Sequence, residues 1–407
     1  HPNLQVLLAI PNIKTERRRK IISDLEKIKV AVRTMPALNE LLSDQKKVTD
    51  IQELSINDIL PGARISNAKV KNAKVKTFLI SGAGGSIGAE ITRQLLSSNP
   101  SAIILFELSE YNLFNIEREC LAIKTSKALD TQIIPILGDI RDKNNLDHVF
   151  TKFQIDQVYH AAAYKHVPLV ENENNISKAA ENNIIGTCNL AEASVKHNVN
   201  SFVMISTDKA VRPTNIMGAT KRFAEIIIQS INAEADKTKF SMVRFGNVIN
   251  SSGSVIPLFI DQISRGGPIT VTHKDVKRYF MTIPEASNLV LQAGEMSEGG
   301  EVFILDMGEQ VKIFDLALKL IHLSGRNYIE NSDDDGVKII EVGLRPGEKM
   351  YEELLISGSE IRTENPKIFK ANESFIPLTD LQPILDEMKQ SIPVSYTHLT
   401  LPTIYSV

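Results

Sequence analysis

The sequence is short of the features that mark several protein classes. Its 407 residues include only two cysteines, Cys120 and Cys188, which fits a reducing compartment and shows no metal-binding spacing. The net charge of -3 argues against a nucleic-acid binder that works by bulk charge. No apolar run approaches the ~20 residues of a membrane span, and no signal peptide is recognisable. We therefore expect neither a metal nor a nucleic-acid partner.

An initial methionine is also absent. The chain starts at His1 and soon enters the apolar run LQVLLAI, so we interpret it as a fragment of a longer protein. It is long enough for two or three domains. Its hydrophobic fraction of 43% and charged fraction of 23% are ordinary for a globular protein.

The chain divides by pattern into several segments. Residues 1–66 carry strand, helix and strand patterns in turn and predict a partial α/β domain. Residues 67–76 are polar and predict a linker. The other expected segments are a catalytic domain at 77–371 with its substrate part mainly at 250–371, a C-terminal helix within 372–392, and a tail at 393–407. The tail fits no neighbouring element, and we interpret it as non-native.

From residue 77 onward, apolar runs alternate with longer amphipathic stretches. The runs are TFLIS, AIILFE, QIIPIL, QVYHAAA, SFVMIS and FSMVRF. Such runs are typical of strands buried on both faces, and their alternation with helices indicates βαβ units. The pattern predicts an α/β fold with a doubly wound parallel sheet and a smaller C-terminal substrate-binding part.

A glycine-rich turn, SGAGGSIGAE, directly follows the first of these strands. Glycine permits a tight turn and close approach of the backbone to a pyrophosphate, and the helix that follows would point its N–H groups at the phosphates. An acidic residue ends the next strand, at about the spacing where a carboxylate binds the adenine ribose and repels a 2′-phosphate. We predict a Rossmann site for NAD rather than NADP, formed by Gly82, Gly85, Ser86, Ile87, Gly88 and Glu107.

Two further segments follow later strands and extend the expected cofactor site. GDIRD puts Asp139 and Ile140 at the carboxyl end of the third strand, beside the adenine position. In HAAAYKHVPLVE, the small Ala161 and Ala162 let the chain pass close to the cofactor. Lys165 follows them and is a candidate for contact with a phosphate or a hydroxyl of cofactor or substrate. Taken alone, Gly-Asp is more often turn chemistry, and a lone lysine is more often a surface residue.

The run STDKAVRPTNIMGATK carries the candidate catalytic residues. It follows the strand SFVMIS, so Asp208 and Lys209 are expected at the edge where parallel sheets bind their ligands. Met217 stands one helical turn before Lys221, and a thioether can neither take nor give a proton. Asp208 and Lys209 are therefore the nearest candidates for proton transfer.

The motifs in order resemble the nucleotide-sugar 4,6-dehydratases of bacterial capsule and glycan synthesis, which are extended short-chain dehydrogenases. The resemblance covers about residues 75–370 and rests on GAGGSIG, GDIRD, HAAAYKHVPLVE, ENNIIGT, STDKAVRPTNIMGATK, RFGNV, GSVIPLF, RYFMTIPEA and LRPGEKMYEELL. The superfamily usually has a tyrosine where Met217 stands. With Met217 at this position, the chain resembles the long, membrane-anchored branch of the family, whose members act on UDP-N-acetylglucosamine.

The resemblance to that branch also implies a setting for the protein. Residues 1–66 resemble the degenerate α/β domain that precedes catalysis in long members, whose N-terminal membrane helices would be missing here. The parent would lie at the cytoplasmic face of the bacterial inner membrane, whereas this fragment would be soluble. We also expect a homo-oligomer.

The implied reaction has no net redox change. NAD takes a hydride from sugar carbon 4, the ketone acidifies the proton on carbon 5, water leaves from carbon 6, and the hydride returns to carbon 6. Lys221 would hold the nicotinamide ribose, and Thr207 would hydrogen-bond the carbon 4 hydroxyl. Lys209, with a pKa depressed by positive charge or burial, would be the base at carbon 5. Asp208, if protonated, would give a proton to the leaving hydroxyl. The carbon 4 hydroxyl could lose its proton to Lys209, Asp208 or an ordered water.

The same resemblance implies a set of substrate-binding residues. Asn183 resembles the superfamily's structural asparagine and is placed with this set. Asn247 and Arg278 belong on the diphosphate side, where the donor fork of an arginine suits phosphate. Arg345 and Glu348, in LRPGEK, would bind the uridine part.

Two other functions stay open from the sequence. A nucleotide-sugar 4-epimerase shares the fold, although an epimerase is expected to keep the tyrosine that Met217 replaces. A non-catalytic NAD-binding sensor or scaffold is the other alternative, because fold does not determine function. The intact Thr207, Asp208 and Lys209 argue against it.

Overall fold

The protein is described here as a computed structural model. The structure describes residues 5–10, 13, 15–34, 52–53, 70, 72–249, 251, 253–330, 336–355, 360–371 and 373–391. Residues 67–69 and 71 of the expected linker, and the whole of the expected tail at 393–407, lie outside the described residues.

The described strands are numbered in chain order. They are β1 (Gln5–Leu8), β2 (Ala31–Thr34), β3 (Gln52–Glu53), β4 (Thr77–Ser81), β5 (Ala102–Glu107), β6 (Gln132–Leu137), β7 (Gln157–His160), β8 (Ser201–Ile205), β9 (Lys239–Arg244), β10 (Asn247–Ile249), β11 (Ile269–Val271), β12 (Lys277–Arg278), β13 (Phe280–Thr282), β14 (Val302–Leu305), β15 (Val311–Lys312), β16 (Tyr328–Ile329), β17 (Val337–Glu341), β18 (Glu360–Arg362) and β19 (Ile368–Ala371).

The described α-helices are α1 (Thr15–Lys27), α2 (Ser86–Leu96), α3 (Glu110–Ser126), α4 (Lys143–Lys152), α5 (Val167–Val170), α6 (Glu173–Ala180), α7 (Thr187–Lys196), α8 (Ile216–Glu234), α9 (Val255–Ser264), α10 (Ile283–Glu295), α11 (Ile313–Leu323) and α12 (Leu378–Ser391). A π-helical segment, Glu181–Gly186, joins α6 to α7. One 3-10 turn, Ala73–Val75, precedes β4, and another, Asp208–Ala210, follows β8. The C-terminal helix expected within 372–392 is α12.

The chain forms two compact units. Unit 1 consists of residues 1–63, 247–282 and 308–351, and unit 2 of residues 64–246, 283–307 and 352–407. The domain boundaries expected at residues 66 and 250 stay predictions. The N-terminal segment lies in one unit with residues 247–282 and 308–351.

In unit 1, the N-terminal segment shares a core with later parts of the chain. Leu8 and Ile22 lie in the same buried cluster as Phe259 of α9 and Leu316 of α11. β1 and β2 pair in parallel, and β2 pairs antiparallel with β3. Elsewhere in this unit β10 pairs with β13, and β11 with β17, both in parallel.

Nine described strands of unit 2 form one sheet, in the order β18-β19-β14-β9-β8-β7-β4-β5-β6. The strands from β14 to β6 are parallel, and β19 and β18 add an antiparallel edge. The six apolar runs of the sequence all become strands of this sheet, which confirms the predicted parallel α/β fold. Because the central strands are buried on both faces, their sequences are continuously apolar.

Chain order reverses between β4 and β7, which pair side by side although two strands separate them in sequence. In such sheets, ligands bind outside the carboxyl ends of the strands at this reversal. The fold therefore brings the turn after β4 and the segment after β7 to one place.

The helical stretch from α6 to α7 is interrupted by a wider turn. α6 ends at Ala180, and the π-helical turn intervenes before α7 begins at Thr187. The Thr187 hydroxyl donates to the Asn183 carbonyl oxygen at 2.7 Å and lies 2.9 Å from Nε2 of His160. Wider turns of this kind are often found at functional sites, and periodicity alone does not reveal them.

A buried cluster of four charged residues stabilises unit 2. The Arg244 guanidinium is buried and donates to Glu225 on α8, at 2.7 Å from Nε to Oε1, and to Glu373. Arg222 also pairs with Glu373, at 2.7 Å. Burial works to raise the pKa of Glu225, but the attraction and hydrogen bonds of Arg244 outweigh it and lower that pKa. Stability from Glu225 is therefore present at neutral pH and is lost as the pH falls through its folded-state pKa.

We predict that Arg244→Met destabilises unit 2 by about 3–5 kcal/mol, because two buried carboxylates lose their main partner. Lys143→Met is the matched control: Lys143 pairs with Glu192 at 2.6 Å, but both side chains are exposed. The control should cost at most about 1 kcal/mol. The measurement is the free energy of unfolding from urea titrations at pH 7. Equal losses in the two variants would contradict a structural role for the cluster.

Candidate functional site

The glycine-rich turn connects β4 to α2 and touches the segment after β7. Gly82 has a positive φ of 68°, and a Cβ there would lie 2.8 Å from the Ala162 Cα and 2.9 Å from the Ala161 carbonyl carbon. At Gly88, a Cβ would overlap the Gly82 carbonyl oxygen. Gly82 and Gly88 are therefore required by the protein's own packing. The structure brings together Gly82, Ala161 and Ala162.

Gly85 differs from these two glycines. Its φ of -71° suits any residue, and a Cβ there would meet only the Gly82 carbonyl oxygen, at 3.3 Å. No side chain caps α2 at this described end, and the first helical bond runs from Ala89 N–H to the Gly85 carbonyl oxygen, at 2.8 Å. The preceding N–H groups of Ser86, Ile87 and Gly88 point away from the helix. A helix N-terminus with free N–H groups can bind an anion, and the missing Cβ at Gly85 leaves room for the anion to approach.

Glu107 ends β5 at the rim of the same turn. Its two carboxylate oxygens accept from the Gly84 N–H at 2.9 Å and the Ser109 N–H at 3.0 Å. The residue is 8% exposed. Each carboxylate oxygen has two lone pairs, so the group can hold the turn and still accept a hydrogen bond from a ligand hydroxyl. Sequence spacing did not predict the first of these tasks.

Asp139 and Ile140 follow β6 and have clear partners within the protein. Arg141 donates to both Asp139 oxygens, with Nε 2.9 Å from each. Burial works to raise the pKa of Asp139, but the Arg141 hydrogen bonds outweigh it and lower that pKa. Ile140 is buried in the core. Its side chain packs so closely on Gly186 that a Cβ added there would lie 2.7 Å from it. The Ile140 side chain therefore packs the core, and contact of either residue with a cofactor stays a prediction.

Thr207, Asp208 and Lys209 lie at the carboxyl end of β8, as expected. The Thr207 hydroxyl donates to Asp208 Oδ1 at 2.8 Å, and Lys209 Nζ donates to the same oxygen at 3.1 Å. Asp208 is 0% exposed, and its Oδ2 has no hydrogen-bond partner among the described residues. A buried carboxyl oxygen without a partner is costly and often marks a functional site.

The start of helix α8 packs against the 3-10 turn Asp208–Ala210. A Cβ at Gly218 would overlap the Lys209 carbonyl oxygen, so glycine lets the start of α8 approach the turn. Asn215 caps α8 by accepting from the Gly218 N–H at 2.8 Å. The Asp208 N–H donates to the Phe245 carbonyl oxygen at 3.1 Å, which ties the turn to the end of β9. The backbone of the catalytic candidates is therefore held from two sides.

The sequence did not identify Glu352 as part of this cluster. Glu352 is 6% exposed, and its Oε1 lies 3.5 Å from Lys209 Nζ. The residue belongs to the motif LRPGEKMYEELL, which was singled out for other positions. Its approach to Lys209 depends on tertiary folding. Lys209 thus lies between two buried carboxylates, which favour its ammonium form, and near Lys165, whose positive charge acts in the opposite direction.

Lys165 and Lys221 contribute positive charge. Lost hydration and the nearby Lys209 ammonium both lower the pKa of Lys165, although part of its side chain is open to solvent. Lys221 Nζ donates to the Ile205 carbonyl oxygen, at 2.7 Å, at the end of β8. Burial lowers the pKa of Lys221 to about 8, while Glu225 acts in the opposite direction. Burial and the charge of Lys221 lower the pKa of His160 to about 3, so the imidazole is neutral.

Met217 is 2% exposed and lies in an apolar cluster with Val170, Ala179 and Ile216. A side chain this deeply packed fills space between α8 and the helices before it. Its placement among the catalytic residues was based on the position of the superfamily's tyrosine. The geometry assigns Met217 a packing role and no proton chemistry.

Asn183 lies in the π-helical segment and is 1% exposed. Its Oδ1 accepts from the Tyr164 N–H at 2.8 Å and from Asn182 Nδ2 at 3.0 Å. Its Nδ2 donates to the Tyr164 carbonyl oxygen and the Thr220 hydroxyl, both at 3.0 Å. All four hydrogen-bonding positions of the amide are used. Asn183 is a positioning residue, because its amide has no unused polar atom for the expected contact with substrate.

The other predicted substrate residues belong to unit 1. Arg278 donates to Glu348 Oε1 at 2.9 Å, and the Thr272 hydroxyl donates to the same oxygen at 3.0 Å. The Arg345 N–H donates to Glu348 Oε2 at 3.3 Å, and the Arg345 side chain is exposed. Asn247 begins β10, where it pairs in register with Phe280. The structure brings Arg278, Arg345 and Glu348 together, and their contact with a nucleotide stays a prediction.

Within the described part of the chain, no group of three or more His, Cys, Asp and Glu side chains is arranged to hold a metal ion. Among the helices in the described ranges, none is both long and apolar enough to cross a membrane.

Comparison with known proteins identifies relatives of this chain. Residues 78–373 match a family described as "Polysaccharide biosynthesis protein". The chain is 44% identical over 393 residues to the capsular polysaccharide biosynthesis protein CapD of Staphylococcus aureus, covering 94% of the chain and 63% of CapD. The chain therefore spans less than two thirds of that relative.

Two more distant relatives carry enzyme names. The inverting UDP-N-acetylglucosamine 4,6-dehydratase of Campylobacter jejuni is 33% identical over 309 residues, covering 75% of this chain and 85% of the dehydratase. The UDP-glucose 4-epimerase of Rickettsia canadensis is 32% identical over 292 residues, covering 71% of this chain and 80% of the epimerase.

Solved structures share the fold. Pen from Bacillus thuringiensis superposes with a TM-score of 0.61 at 32% identity, covering 79% of this chain and 99% of Pen. DesIV of Streptomyces venezuelae, a dTDP-glucose 4,6-dehydratase solved with NAD bound, has a TM-score of 0.56 at 21% identity, covering 68% of this chain and 87% of DesIV. Because the family match spans most of the chain and the sheet has this order, the chain belongs to the polysaccharide biosynthesis protein family, with the Rossmann fold of extended short-chain dehydrogenases.

Proposed function

We propose that this chain carries the catalytic part of an NAD-dependent nucleotide-sugar 4,6-dehydratase that acts on UDP-N-acetylglucosamine. The observation that carries the proposal is the cluster at the end of β8. Asp208 is fully buried with an unpartnered Oδ2, and it is joined through Oδ1 to Thr207 and Lys209. Acid/base groups of this kind are what the loss of water from a sugar requires.

The residues around the glycine turn fit a dinucleotide. The exposed N–H groups of Ser86, Ile87 and Gly88 suit a pyrophosphate, and the glycine at 85 leaves room for it. The Glu107 carboxylate suits the adenine ribose, and Lys221 suits the nicotinamide ribose. NAD bound there would supply the chemistry for hydride loss from carbon 4 and hydride return to carbon 6.

The protein's own groups would handle the protons. Asp208, when protonated, can donate from Oδ2 to the hydroxyl that leaves carbon 6 as water. Lys209 can take the proton from carbon 5 once it has lost its own, and Thr207 can orient the carbon 4 hydroxyl. Met217 contributes the packing behind these groups. The proposed diphosphate and uridine contacts of Asn247, Arg278, Arg345 and Glu348 rest on the family resemblance.

A 4-epimerase is the second candidate, since UDP-glucose 4-epimerases are 32% identical to this chain. The Asp208–Lys209 pair favours dehydration, because an epimerase has no hydroxyl to expel. Incubation with UDP-N-acetylglucosamine followed by mass spectrometry separates the two functions. A dehydratase gives a product lighter by one water, whereas an epimerase gives an isomer of unchanged mass. An isomer alone would reject the proposal.

We predict that the protein binds NAD more tightly than NADP, because the Glu107 carboxylate would repel a 2′-phosphate. Glu107→Gln should bring the ratio of the NAD affinity to the NADP affinity closer to one. The ratio is the proper readout, since the variant also weakens the bond to the Gly84 N–H and lowers both affinities. Isothermal titration of each cofactor measures it. Tighter binding of NADP by the wild type would show that the role given to Glu107 is wrong.

We predict that Asp208→Asn and Lys209→Ala each lower dehydration by about 10²–10⁴, the usual cost of a lost acid or base. NAD affinity should stay near that of the wild type, because neither side chain is assigned to the cofactor. Glu192→Gln is a control, since it removes an exposed carboxylate that pairs with Lys143. Near-normal turnover in both site variants would reject the assigned roles.

We predict that Met217→Tyr lowers dehydration and does not improve it. The larger ring must enter the apolar cluster of Val170, Ala179 and Ile216, where overpacking costs roughly 1–3 kcal/mol. Met217→Leu conserves volume and should stay close to wild type. Turnover at saturating substrate and the free energy of unfolding are measured for both variants. A several-fold gain in turnover for the tyrosine variant would contradict the packing role.

A further inference from the structure

A line of buried hydrogen bonds connects β4 and β7 to the π-helical segment. His160, the last residue of β7, is 1% exposed. Its Nδ1 lies 2.7 Å from the hydroxyl oxygen of Ser81, which ends β4, and its Nε2 lies 2.9 Å from the Thr187 hydroxyl oxygen. The Thr187 hydroxyl in turn lies 2.7 Å from the Asn183 carbonyl oxygen. Ser81 and Thr187 are fully buried, so these polar groups satisfy one another away from water.

The direction of each hydrogen bond follows from the carbonyl group at the end of the line. A carbonyl oxygen only accepts, so the single hydroxyl proton of Thr187 is donated to Asn183. The Thr187 oxygen must then accept from the Nε2–H of His160. Burial and the charge of Lys221 lower the pKa of His160 to about 3, so the ring carries one proton. Its Nδ1 therefore accepts from the Ser81 hydroxyl.

Thr187 uses both of its donors within the wider turn. Its N–H donates to the Ile184 carbonyl oxygen, and its hydroxyl donates to the Asn183 carbonyl oxygen. The hydroxyl thus ties the first residue of α7 to the middle of the π-helical segment. Because His160 fixes the direction of this hydroxyl, the imidazole helps to hold the wider turn in place.

Asn183 carries this restraint to the two lysines of the site. Its amide bonds to both backbone groups of Tyr164, the residue before Lys165. It also donates to the hydroxyl of Thr220, the residue before Lys221. A shift of the wider turn would therefore displace both ammonium groups. A misplacement of ~1 Å at a reacting site can cost roughly 10²-fold in rate.

We propose that His160, as the Nε2–H tautomer, is a positioning residue that holds the π-helical segment and thereby sets the places of Lys165 and Lys221. The imidazole touches neither cofactor nor substrate in this scheme and acts through Thr187 and Asn183. The consequence for turnover rests on the proposed dehydratase function, whereas the tautomer does not depend on it.

Nitrogen NMR of the protein with isotope-labelled histidines tests the tautomer without cofactor or substrate. At pH 7 the His160 signals, identified by their loss in His160→Gln, should show a protonated Nε2 and an unprotonated Nδ1. Thr187→Val removes the acceptor and should move the proton to Nδ1, which can then donate to the Ser81 hydroxyl. A protonated Nδ1 in the wild type, or an unchanged tautomer in Thr187→Val, overturns the inference.

Ser194→Ala is the matched control for Thr187→Val. The buried Ser194 hydroxyl also belongs to α7 and also donates to a carbonyl oxygen one turn earlier, that of Leu190, at 2.8 Å. The two variants therefore lose comparable hydrogen bonds and should lose a comparable free energy of unfolding. Ser194→Ala should leave the His160 signals unchanged.

Cofactor binding and turnover are the second readout. Thr187→Val should weaken NAD binding and lower dehydration by about 10-fold each, because Lys221 and Lys165 are displaced. Thr187→Ser keeps the hydroxyl and should stay near wild type, as should Ser194→Ala. Normal NAD affinity and turnover in Thr187→Val, equal losses in Ser194→Ala, or no rescue by Thr187→Ser would overturn the inference. If the tautomer and NAD results hold but the wild type releases no dehydrated sugar, the proposed function fails while the inference stands.

Discussion

The close contact between the turn after β4 and the segment after β7 is the constraint on which the rest of the site depends. Gly82 lies against the backbone of Ala161 and Ala162, with no room for a single added carbon. This contact is possible because β4 and β7 are parallel neighbours whose carboxyl ends meet at the reversal of strand order. It aims the start of α2 at the same edge of the sheet where β8 ends.

Several buried polar groups lie at the same edge of the sheet, and each is held by different contacts. Glu107 secures the glycine turn through the Gly84 N–H, and Asn183 joins the Tyr164 backbone to Thr220 on α8. Gly218 allows α8 to approach the Lys209 backbone. The Asn183 amide uses all of its hydrogen-bonding positions, whereas Asp208 Oδ2 has no partner among the described residues. The contrast separates groups that hold the site from a group that is available for chemistry.

Away from this edge, unit 2 buries charge for stability. Arg244 and Glu225 are fully buried and bonded to each other, and Glu373 joins them from the segment after β19. Complete pairing makes this burial tolerable, because an unpaired charge in the same place would be strongly destabilising. At the candidate site, Asp208 and Glu352 both lie close to Lys209, at 3.1 Å and 3.5 Å from its Nζ.

The sequence by itself determined the parallel sheet, its strands and the glycine turn, because burial on both faces demands apolar runs and tight turns demand glycine. It also placed Asp208 and Lys209 at the ligand edge, since that position follows from the end of a strand. Only the tertiary structure decided the partners of those residues. Glu352 reaches Lys209, and Met217 enters an apolar cluster, through packing between elements far apart in the chain. The division into two units also depends on packing, because the apolar residues of the N-terminal segment share one core with helices that come later in the chain. Local pattern records the burial of each residue but not the identity of its neighbour.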